Sequence, residues 1–519
     1  MSKIKFKVEN IKYRNLLKLS IYFIFLTFLL SCSLPRKEKE KNTPNILFIL
    51  AEDISTDIES YGMQAVKTPV LNELAKEGIQ YENCYGTNSI CSPSRSNMIT
   101  GVHQNVINAQ HHRSNRQVPL QKPFFPITSY LRDAGYTCIL GSDLVRGKGR
   151  KIDVNFKHNS LGNWDGKNEF GLFDKFDEIT PEDQPFFSQV TLTVTHRGNH
   201  WDAIREQSEH KVNPENIVLP PYFADTPVIR KDWAKYLDQI EYMDQEVGLL
   251  LDDLEIKGLK NNTLVIFIGD NGRCNIRGKG YLYEPGLRLP LIVNWPEGLD
   301  GGKEDSRMIA SIDVAATILD AAGIELPEYM NARSFIKPDE QPREYVYSAR
   351  DLWDEILEQS RAITTDKYRY IKNNITGQAH DAQQAYLEFY RPAVHIMRDL
   401  YEKGELNELQ AKFFESNKEE EELYDLENDP YETINLINDP KYAEIADKLR
   451  EYYTDWNERN KDYGFEMINW DNAPPPSAPA IIKWLKEEKP EVIDEMKQGI
   501  EPGFSKLNRE YKALQKLNK

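Results

Sequence analysis

The chain has 519 residues, of which 40% are apolar and 11% are aromatic, a composition typical of a globular protein with a substantial core. This length fits one large domain accompanied by a smaller one. The net charge of −17 at pH 7 argues against general nucleic-acid binding, because a phosphate backbone is bound by a basic surface. A polyanionic ligand would therefore require a local basic cleft in an otherwise acidic protein.

The N-terminus resembles a bacterial secretion signal. Basic residues precede an apolar stretch over 19–30, which is too short to span a membrane comfortably. The stretch leads into L-L-S-C, ending at Cys32, and this ending resembles a lipobox. We predict a lipoprotein signal peptide over 1–31, lipidation of Cys32 and a charged tether over 32–42. The protein would then be extracytoplasmic and lipid-anchored, in the periplasm or at the cell surface; a signal anchor that ends in cysteine is the alternative.

Strand and helix patterns alternate in the next part of the chain. Residues 45–51 form a continuous apolar run, typical of a strand buried on both faces of a mainly parallel sheet. A short helix is predicted over 70–78, and a long amphipathic helix over 228–254, where apolar side chains recur every three or four positions. Further buried strands are predicted at 187–195, 263–269 and 289–295. This alternation predicts an α/β fold with a central sheet and flanking helices.

The pattern changes near residue 340. Short strands around helical stretches are predicted at 345–347, 368–371 and 422–424. We therefore expect a main domain over 43–340, a smaller C-terminal subdomain over 341–473 and a charged helical tail over 474–519.

The most informative segment spans residues 91–101, which read C-x-P-S-R-x-x-x-x-T-G. Local structure alone would explain it as a turn entering a helix, with Pro93 at the first helical position. The pattern, however, resembles the signature of formylglycine-dependent sulfatases, a family within the alkaline phosphatase superfamily. The run E-L-Y-D-L over 422–426 is similar to a C-terminal run of the same family. The resemblance implies a central mixed sheet flanked by helices, with a smaller antiparallel sheet in the C-terminal subdomain.

The resemblance also implies the nucleophile. In this family the cysteine, here Cys91, is oxidised to formylglycine by a maturation enzyme. The hydrated aldehyde offers two hydroxyls on one carbon, of which one attacks sulfur and the other loses its proton to expel sulfate. A serine would be trapped as a stable sulfate ester, which is the chemical reason for converting the cysteine.

Paired polar residues follow two of the predicted strands. Glu52 and Asp53 follow the first strand, and Asp270 and Asn271 follow the strand at 263–269. Carboxylates after a strand can simply cap helices, but hard oxygen ligands also suit calcium or magnesium. The resemblance implies that these four residues and the modified Cys91 bind one divalent cation, usually calcium. Glu52 departs from the aspartate usual in the family but keeps its charge.

Three further residues match catalytic positions of the family. Arg95 lies one helical turn after the cysteine, on the same face, and would hold the modified side chain and the metal ligands. Lys279, in a segment resembling G-K…Y-E, would contact the sulfate and bridging oxygens. His196, at a predicted strand end, matches the histidine that protonates the leaving oxygen, although a single histidine there is often structural.

The segment that usually carries a sulfate-binding lysine and histidine differs in this chain. Residues 149–156 resemble a K-x-D-Y-N-F variant of a bacterial branch close to the sulfamidases. On this alignment Lys151 takes the role of the lysine and Asp153 replaces the histidine. Lys148 is an alternative to Lys151, because the whole loop is basic.

Two other segments match the same branch and point to the substrate pocket. His111, in the Q-H-H-R run over 110–113, is the better match for a histidine that binds sulfate or the sugar ring; a surface loop is the alternative. Arg350 opens an R-D-x-x-D-E run and is expected to help form the pocket.

The resemblance thus implies a calcium-dependent sulfatase that hydrolyses sulfate esters or N-sulfates on a carbohydrate of the glycosaminoglycan type. Its expected partners are the sulfated saccharide, the maturation enzyme and the membrane, but not nucleic acid. A phosphonate or phosphate monoester hydrolase is an alternative, because sulfuryl and phosphoryl transfer both depend on positioning and charge stabilisation. A non-catalytic glycan-binding lipoprotein is the other alternative.

Overall fold

A computed structural model describes residues 43–517, except for 165–170, 338–339, 355 and 467–477. The predicted signal peptide, Cys32 and the tether lie outside the described residues, so these assignments stay predictions. Within the described ranges, no helix combines the length and the apolar character needed to cross a membrane.

The described residues form fourteen β-strands and fourteen α-helices. The strands are β1 Asn45–Ala51, β2 Ile79–Tyr85, β3 Thr137–Leu140, β4 Asn159–Leu161, β5 Gly171–Phe173, β6 Lys175–Phe176, β7 Phe186–Leu192, β8 Thr263–Gly269, β9 Leu291–Asn294, β10 Lys303–Ala310, β11 Val346–Trp353, β12 Ile356–Thr364, β13 Tyr368–Asn373 and β14 Glu421–Asp425. The helices are α1 Pro69–Glu77, α2 Cys91–Thr100, α3 Ile127–Asp133, α4 His200–Gln207, α5 Pro227–Ile256, α6 Glu284–Leu287, α7 Asp313–Ala321, α8 Ala385–Tyr390, α9 Pro392–Glu402, α10 Glu408–Ala411, α11 Ala443–Arg459, α12 Ala478–Glu488, α13 Pro490–Lys497 and α14 Phe504–Leu517.

The larger sheet has eight strands in the order β10-β2-β9-β8-β1-β7-β3-β6. β1 lies parallel to β7 on one side and to β8 on the other, so that Ile49 is opposite both Val190 and Phe267. Among the described strands of this sheet, only β9 runs antiparallel to its neighbours. The other seven strands therefore end at one edge of the sheet, which is where ligands bind in open α/β sheets. The predicted α/β fold is confirmed.

The central strands are mainly apolar because both faces of the sheet are covered. Every residue of β1, β7 and β8 is buried. The long helix α5 begins where the Thr226 hydroxyl accepts a hydrogen bond from the Ile229 backbone N–H at 3.3 Å. Its apolar stripe includes Ile240, Met243 and Val247, all fully buried.

The signature segment, residues 91–101, forms a buried helix that follows strand β2 and a short turn. β2 ends at Tyr85, and α2 begins at Cys91 itself, two residues before Pro93. All ten residues of α2 are buried. The helix ends at Gly101, whose φ of 66° suits glycine and whose missing side chain leaves room for Met330. Cys91, the predicted nucleophile, is therefore held by packing on every side.

A second sheet, with the order β11-β12-β13-β14, is antiparallel throughout and confirms the predicted C-terminal sheet. It contacts the β2–α2 turn through Ser348, whose hydroxyl donates to the Gly86 carbonyl at 2.7 Å. Pro44–Lys519 form one compact unit, and the proposed boundaries within it stay predictions. The tail is helical in its described part, as α12 to α14.

Candidate active site

Four strands of the large sheet deliver the predicted site residues to the same edge. Glu52 and Asp53 follow β1, and Asp270 follows β8. Cys91 opens the helix after β2, and His196 lies in the turn after β7. Because these strands are parallel, side chains distant in the sequence meet above their carboxyl ends.

A buried group of oxygen and sulfur atoms lies at this edge. Single ligand atoms of Glu52, Cys91 and Asp270 fall within 4.8 Å of one another. The Cys91 Sγ is 3.9 Å from Oδ1 of Asp53, and the Asp53 backbone N–H donates to Asp270 Oδ1 at 3.0 Å. Asn271 Nδ2 donates to Asp53 Oδ1 at 3.0 Å, whereas its Oδ1 is buried without a partner among the described residues.

This donor set fits a hard cation. Carboxylate oxygens of Glu52 and Asp270 lie within a few ångströms of each other, with Asp53 hydrogen-bonded to Asp270, and carboxylate oxygens are the ligands that calcium prefers. The Asn271 amide lies against Asp53, and its oxygen, buried without a hydrogen bond among the described residues, is unfavourable unless a ligand satisfies it. Asp53 adopts a positive φ of 48°, a strained conformation that is common where a ligand is held.

Arg95 connects the carboxylates to the rest of the site. Its Nε donates to Asp270 Oδ2 at 2.9 Å, and its Nη2 donates to Glu52 Oε1 at 3.2 Å. Its Nη1 donates to the Thr191 hydroxyl at 3.0 Å and to the Lys151 carbonyl at 3.2 Å. A guanidinium with this many partners cannot reorient, so Arg95 fixes two of the proposed metal ligands.

Two lysines bring positive charge to the nucleophile position. Lys279 Nζ lies 2.6 Å from Asp53 Oδ1, and Lys151 Nζ contacts Glu52 Oε1. Burial opposes ionisation of Asp53, but the charges of Lys279 and His196 and the hydrogen bonds from Lys279 and Asn271 together outweigh it and hold the pKa of that carboxyl below its usual value. Lys148 instead pairs with exposed Asp143 at 2.7 Å. Of the two candidate lysines, Lys151 is the one that reaches the carboxylate cluster.

The thiol of Cys91 is a weak nucleophile in this environment. Cys91 is 1% exposed, and this burial raises the pKa of its thiol to about 12. The charges of Lys279 and Lys151 oppose the shift but are too weak to cancel it. The thiol is therefore protonated at neutral pH, and thiolate chemistry is disfavoured.

His196 lies in the turn after β7, with Nδ1 3.1 Å from the Arg197 carbonyl oxygen. This acceptor assigns the proton of the neutral ring to Nδ1 and leaves Nε2 to exchange a proton with a ligand. Burial lowers the pKa of His196 to about 4, partly offset by the charge of Asp53. A bound anion would raise the pKa again.

Tyr386, on α8, is a site residue that the sequence did not predict. Its hydroxyl donates to Asp53 Oδ2 at 2.8 Å and accepts from the Arg197 backbone N–H at 3.1 Å. Lys279 Nζ lies 4.7 Å from the centre of its ring, and the His196 ring lies 5.2 Å from it, centre to centre. No motif surrounds Tyr386, so only the folded chain shows it beside Asp53.

The predicted substrate residues occupy different surroundings. Asp153 lies beside Lys151, at 3.6 Å from its Nζ. His111 instead accepts a hydrogen bond at Nδ1 from the Leu352 backbone N–H at 3.4 Å, and burial lowers its pKa to about 4. Arg350 is buried, with its guanidinium 4.8 Å above the Tyr281 ring. The structure thus brings Asp153 to the site but places Arg350 within β11 of the second sheet and His111 against that strand, and their roles stay predictions.

Comparison with known proteins identifies the family. A family model described as Sulfatase matches residues 44–324, and one described as N-sulphoglucosamine sulphohydrolase, C-terminal, matches 272–381. An ulvan-active sulfatase of Formosa agariphila is 30% identical over 461 residues, which cover 80% of this chain and 74% of that protein. The chain belongs to the sulfatase family. As predicted, this sulfatase is an enzyme that hydrolyses sulfate esters or N-sulfates.

Two further comparisons support the assignment. Human N-sulphoglucosamine sulphohydrolase is 28% identical to this sulfatase over 488 residues, which cover 80% of this chain and 90% of the human protein. The structure of BT4656 in complex with its substrate D-glucosamine-2-N,6-O-disulfate superposes with a TM-score of 0.55, 16% identity and coverage of 82% of this chain and 100% of that chain. At this identity the structural match supports the fold alone.

Proposed function

We propose that this sulfatase removes sulfate from a carbohydrate of the glycosaminoglycan type, as a lipid-anchored protein outside the cytoplasm. The observation that carries the proposal is the convergence of Cys91, Lys151 and Lys279 on one buried carboxylate cluster. The similarity to a human N-sulphoglucosamine sulphohydrolase and to an ulvan-active sulfatase supports a sulfated glycan as substrate.

Glu52, Asp53, Asp270 and Asn271 would hold one calcium ion, with Cys91 as its neighbour. When bound, the ion would withdraw electron density from a sulfate oxygen and stabilise negative charge there. Arg95 keeps Glu52 and Asp270 in place through its two hydrogen bonds, so the ligands are positioned before the substrate binds.

Cys91, after oxidation to formylglycine, would supply the hydroxyl that attacks sulfur and the second hydroxyl whose deprotonation releases sulfate. Lys279 and Lys151 both lie close enough to affect the pKa of the Cys91 thiol, so a sulfate at this position would face two ammonium groups. These charges oppose the build-up of negative charge on the sulfuryl oxygens during transfer.

The leaving oxygen requires a proton, and His196 is placed to supply it. Its Nδ1–H is held by the Arg197 carbonyl, so Nε2 is the atom that would carry and release the catalytic proton. The bound sulfate would raise the pKa of this ring from the low value that burial imposes.

The test is to produce the protein with and without a formylglycine-generating enzyme, and to measure the mass of the tryptic peptide that ends at Arg95. We expect the peptide to lose H2S and gain one oxygen only with that enzyme, and turnover of N-sulfated or O-sulfated glucosamine to follow the modified fraction. Cys91→Ala is the inactive control. Turnover by unmodified protein would contradict the nucleophile, and turnover of phosphate monoesters or phosphonates but not sulfated sugars would favour the alternative activity.

A further inference from the structure

Two arginines surround Asp153, the neighbour of Lys151 at the edge of the proposed catalytic site. Arg113 forms a two-point ion pair with Asp153, Nε to Oδ1 at 3.1 Å and Nη2 to Oδ2 at 2.8 Å. Arg116 contacts the same carboxylate, and Lys151 Nζ lies 3.6 Å from it. Lys151 is also paired with Glu52, whereas Arg113 and Arg116 share the single negative charge of Asp153. We call Arg113, Arg116 and Asp153 the rim cluster.

The rim cluster leads outward from the buried catalytic residues. Cys91 is 1% exposed, whereas the side chain of Lys151 is 24% exposed and those of Arg113 and Arg116 are 40% and 42% exposed. Because the scissile sulfate must reach Cys91, the guanidinium groups farther out would meet a different part of the same substrate. The remaining N–H groups of Arg113 and Arg116 can donate hydrogen bonds to an anion without breaking the ion pairs with Asp153.

The backbone holds this cluster in a defined and costly conformation. Arg113 and Asp153 both adopt positive φ angles, 57° and 53°, which non-glycine residues rarely do. Asn155 joins the segment of Asp153 to the loop that carries both arginines. Its Oδ1 accepts from the Asn115 N–H at 2.9 Å, and its Nδ2 donates to the Ala109 carbonyl at 3.1 Å. Such strain persists where surrounding contacts determine the geometry, as they do at ligand sites.

An unpaired acceptor lies beside the cluster. His112 is 4% exposed, and its Nδ1 lies 2.8 Å from Asp354 Oδ1, which assigns the proton to Nδ1. Its Nε2 is buried and has no hydrogen-bond partner within the described part of the chain. A neutral imidazole can therefore accept one hydrogen bond from a sugar hydroxyl at this nitrogen.

We propose that Arg113 and Arg116 bind a second anionic group of the substrate, a sulfate or a carboxylate, while His112 accepts a hydroxyl of the same saccharide. This inference rests on the proposed action on a sulfated glycan and narrows the substrate to saccharides that carry at least two negative charges. It also supplies the local basic cleft that a protein of net charge −17 requires for such a substrate.

The test compares three substrates of the calcium-loaded enzyme carrying formylglycine. These are 4-nitrophenyl sulfate, with one anionic group, a glucosamine with two sulfates, and a monosulfated disaccharide with a uronate carboxylate. Arg113→Ala and Arg116→Ala should each lower kcat/KM by about 10- to 100-fold on at least one of the two dianionic sugars. The loss of kcat/KM on 4-nitrophenyl sulfate, which has no second anion, should be smaller by at least about fivefold, and Arg113→Lys should recover part of the loss on the dianionic sugar. The sugar affected identifies the second anion as sulfate or carboxylate.

Arg450→Ala is the matched control. Arg450 forms the same two-point pair with Glu421, at 3.0 and 2.8 Å, and is 38% exposed, but it lies on α11 in the C-terminal part. It should leave all three rates unchanged. Equal losses on every substrate, or no loss on any, would overturn the inference, because the arginines would then only support Asp153 or do nothing. Wild-type enzyme that is inactive on all three sulfates would instead contradict the proposed function. In that case, calorimetry would measure binding of the disulfated sugar to Cys91→Ala with and without Arg113→Ala, and weaker binding to the double variant would still support the inference.

Discussion

The hydroxyl of Tyr386 donates a 2.8 Å hydrogen bond to Oδ2 of Asp53, although 333 positions separate the two residues in the chain. The same hydroxyl accepts from the Arg197 N–H, next to His196. One side chain from the C-terminal part thus connects a proposed metal ligand to the turn that carries the proposed proton donor. The hydrogen bonds around the proposed catalytic centre therefore extend beyond residues 44–324, which the Sulfatase family model matches.

Tyr386→Phe should lower kcat and weaken calcium binding without unfolding the protein. The substitution removes one donor from Asp53 and one acceptor from Arg197, while the ring that contacts Lys279 remains. Loss of a positioning contact to a metal ligand typically costs about 10- to 100-fold in affinity or activity. Calcium titration of kcat measures the effect, and Tyr390→Phe on the same helix is the control. Unchanged kcat and calcium requirement would mean that the hydrogen bond has no catalytic consequence.

Lys151→Ala and Lys148→Ala should behave differently. Lys151 contacts Glu52 in the carboxylate cluster, whereas Lys148 pairs with exposed Asp143. We expect Lys151→Ala to reduce kcat/KM on an aryl sulfate by about 100-fold or more, because it removes a charge that would stabilise the transition state. Lys148→Ala should stay within about twofold of the wild type. The opposite order of effects would assign the sulfate-binding role to Lys148.

Removal of calcium should lower thermal stability as well as activity. A ligand present at about 100 times its Kd stabilises the folded state by about 2.7 kcal/mol, so a chelator should lower Tm and added calcium should restore it. Asn271→Ala removes the unpaired Oδ1 and should raise the calcium concentration for half-maximal activity by about tenfold or more. Asn45→Ala, at the opposite end of β1, is the control and should leave the calcium requirement unchanged. A Tm that does not respond to chelator would argue against a calcium site here.

Glu246→Gln should stabilise the protein above pH 7 and have little effect near pH 4. Glu246 lies on α5, where burial raises its pKa from 4.5 to about 7, although it accepts a hydrogen bond from the Arg146 N–H. Because the pKa of Glu246 is higher in the folded than in the unfolded protein, its contribution to stability is fully present below pH 4.5 and is lost as the pH rises through 7. The free energy of unfolding contributed by Glu246 should differ by about 3 kcal/mol between pH 4 and a pH well above 7. The Tm of Glu246→Gln and of the wild type, measured from pH 4 to 9, shows whether the variant gains stability as the pH rises. Glu255→Gln, at an exposed position, is the control. A Tm difference that does not change with pH would contradict ionisation of Glu246 as its cause.

Four of the eight strands of the large sheet, β1, β7, β8 and β9, could be predicted, because all of their residues are buried and their sequences are mainly apolar. β1 and β8 were predicted to the residue, whereas β7 ends at Leu192, three residues earlier than expected. β12 was not predicted, because its Glu358 and Arg361 are polar although both are buried in the fold. Arg361 is paired with Asp351 at 3.0 Å, a contact that no local pattern reveals.

The site was predictable where chemistry follows a strand or a motif, and not where it depends on tertiary contacts. Residues at the ends of parallel strands converge by topology, so Asp53 and Asp270 could be placed together from the sequence. Tyr386 and Arg116 carry no such signal. Each reaches the site on a segment whose position is decided by packing against other parts of the chain.

The burial of Cys91 has a consequence for the biogenesis of the enzyme. Its thiol lies in the first turn of a helix whose ten residues are all buried, so a second protein cannot reach it once β2 and α2 have packed. The proposed oxidation must therefore act on the nascent or unfolded chain. The yield of active enzyme is then decided by how long the segment 86–101 stays accessible before the chain folds. Molecules that fold first would persist as stable, permanently inactive protein.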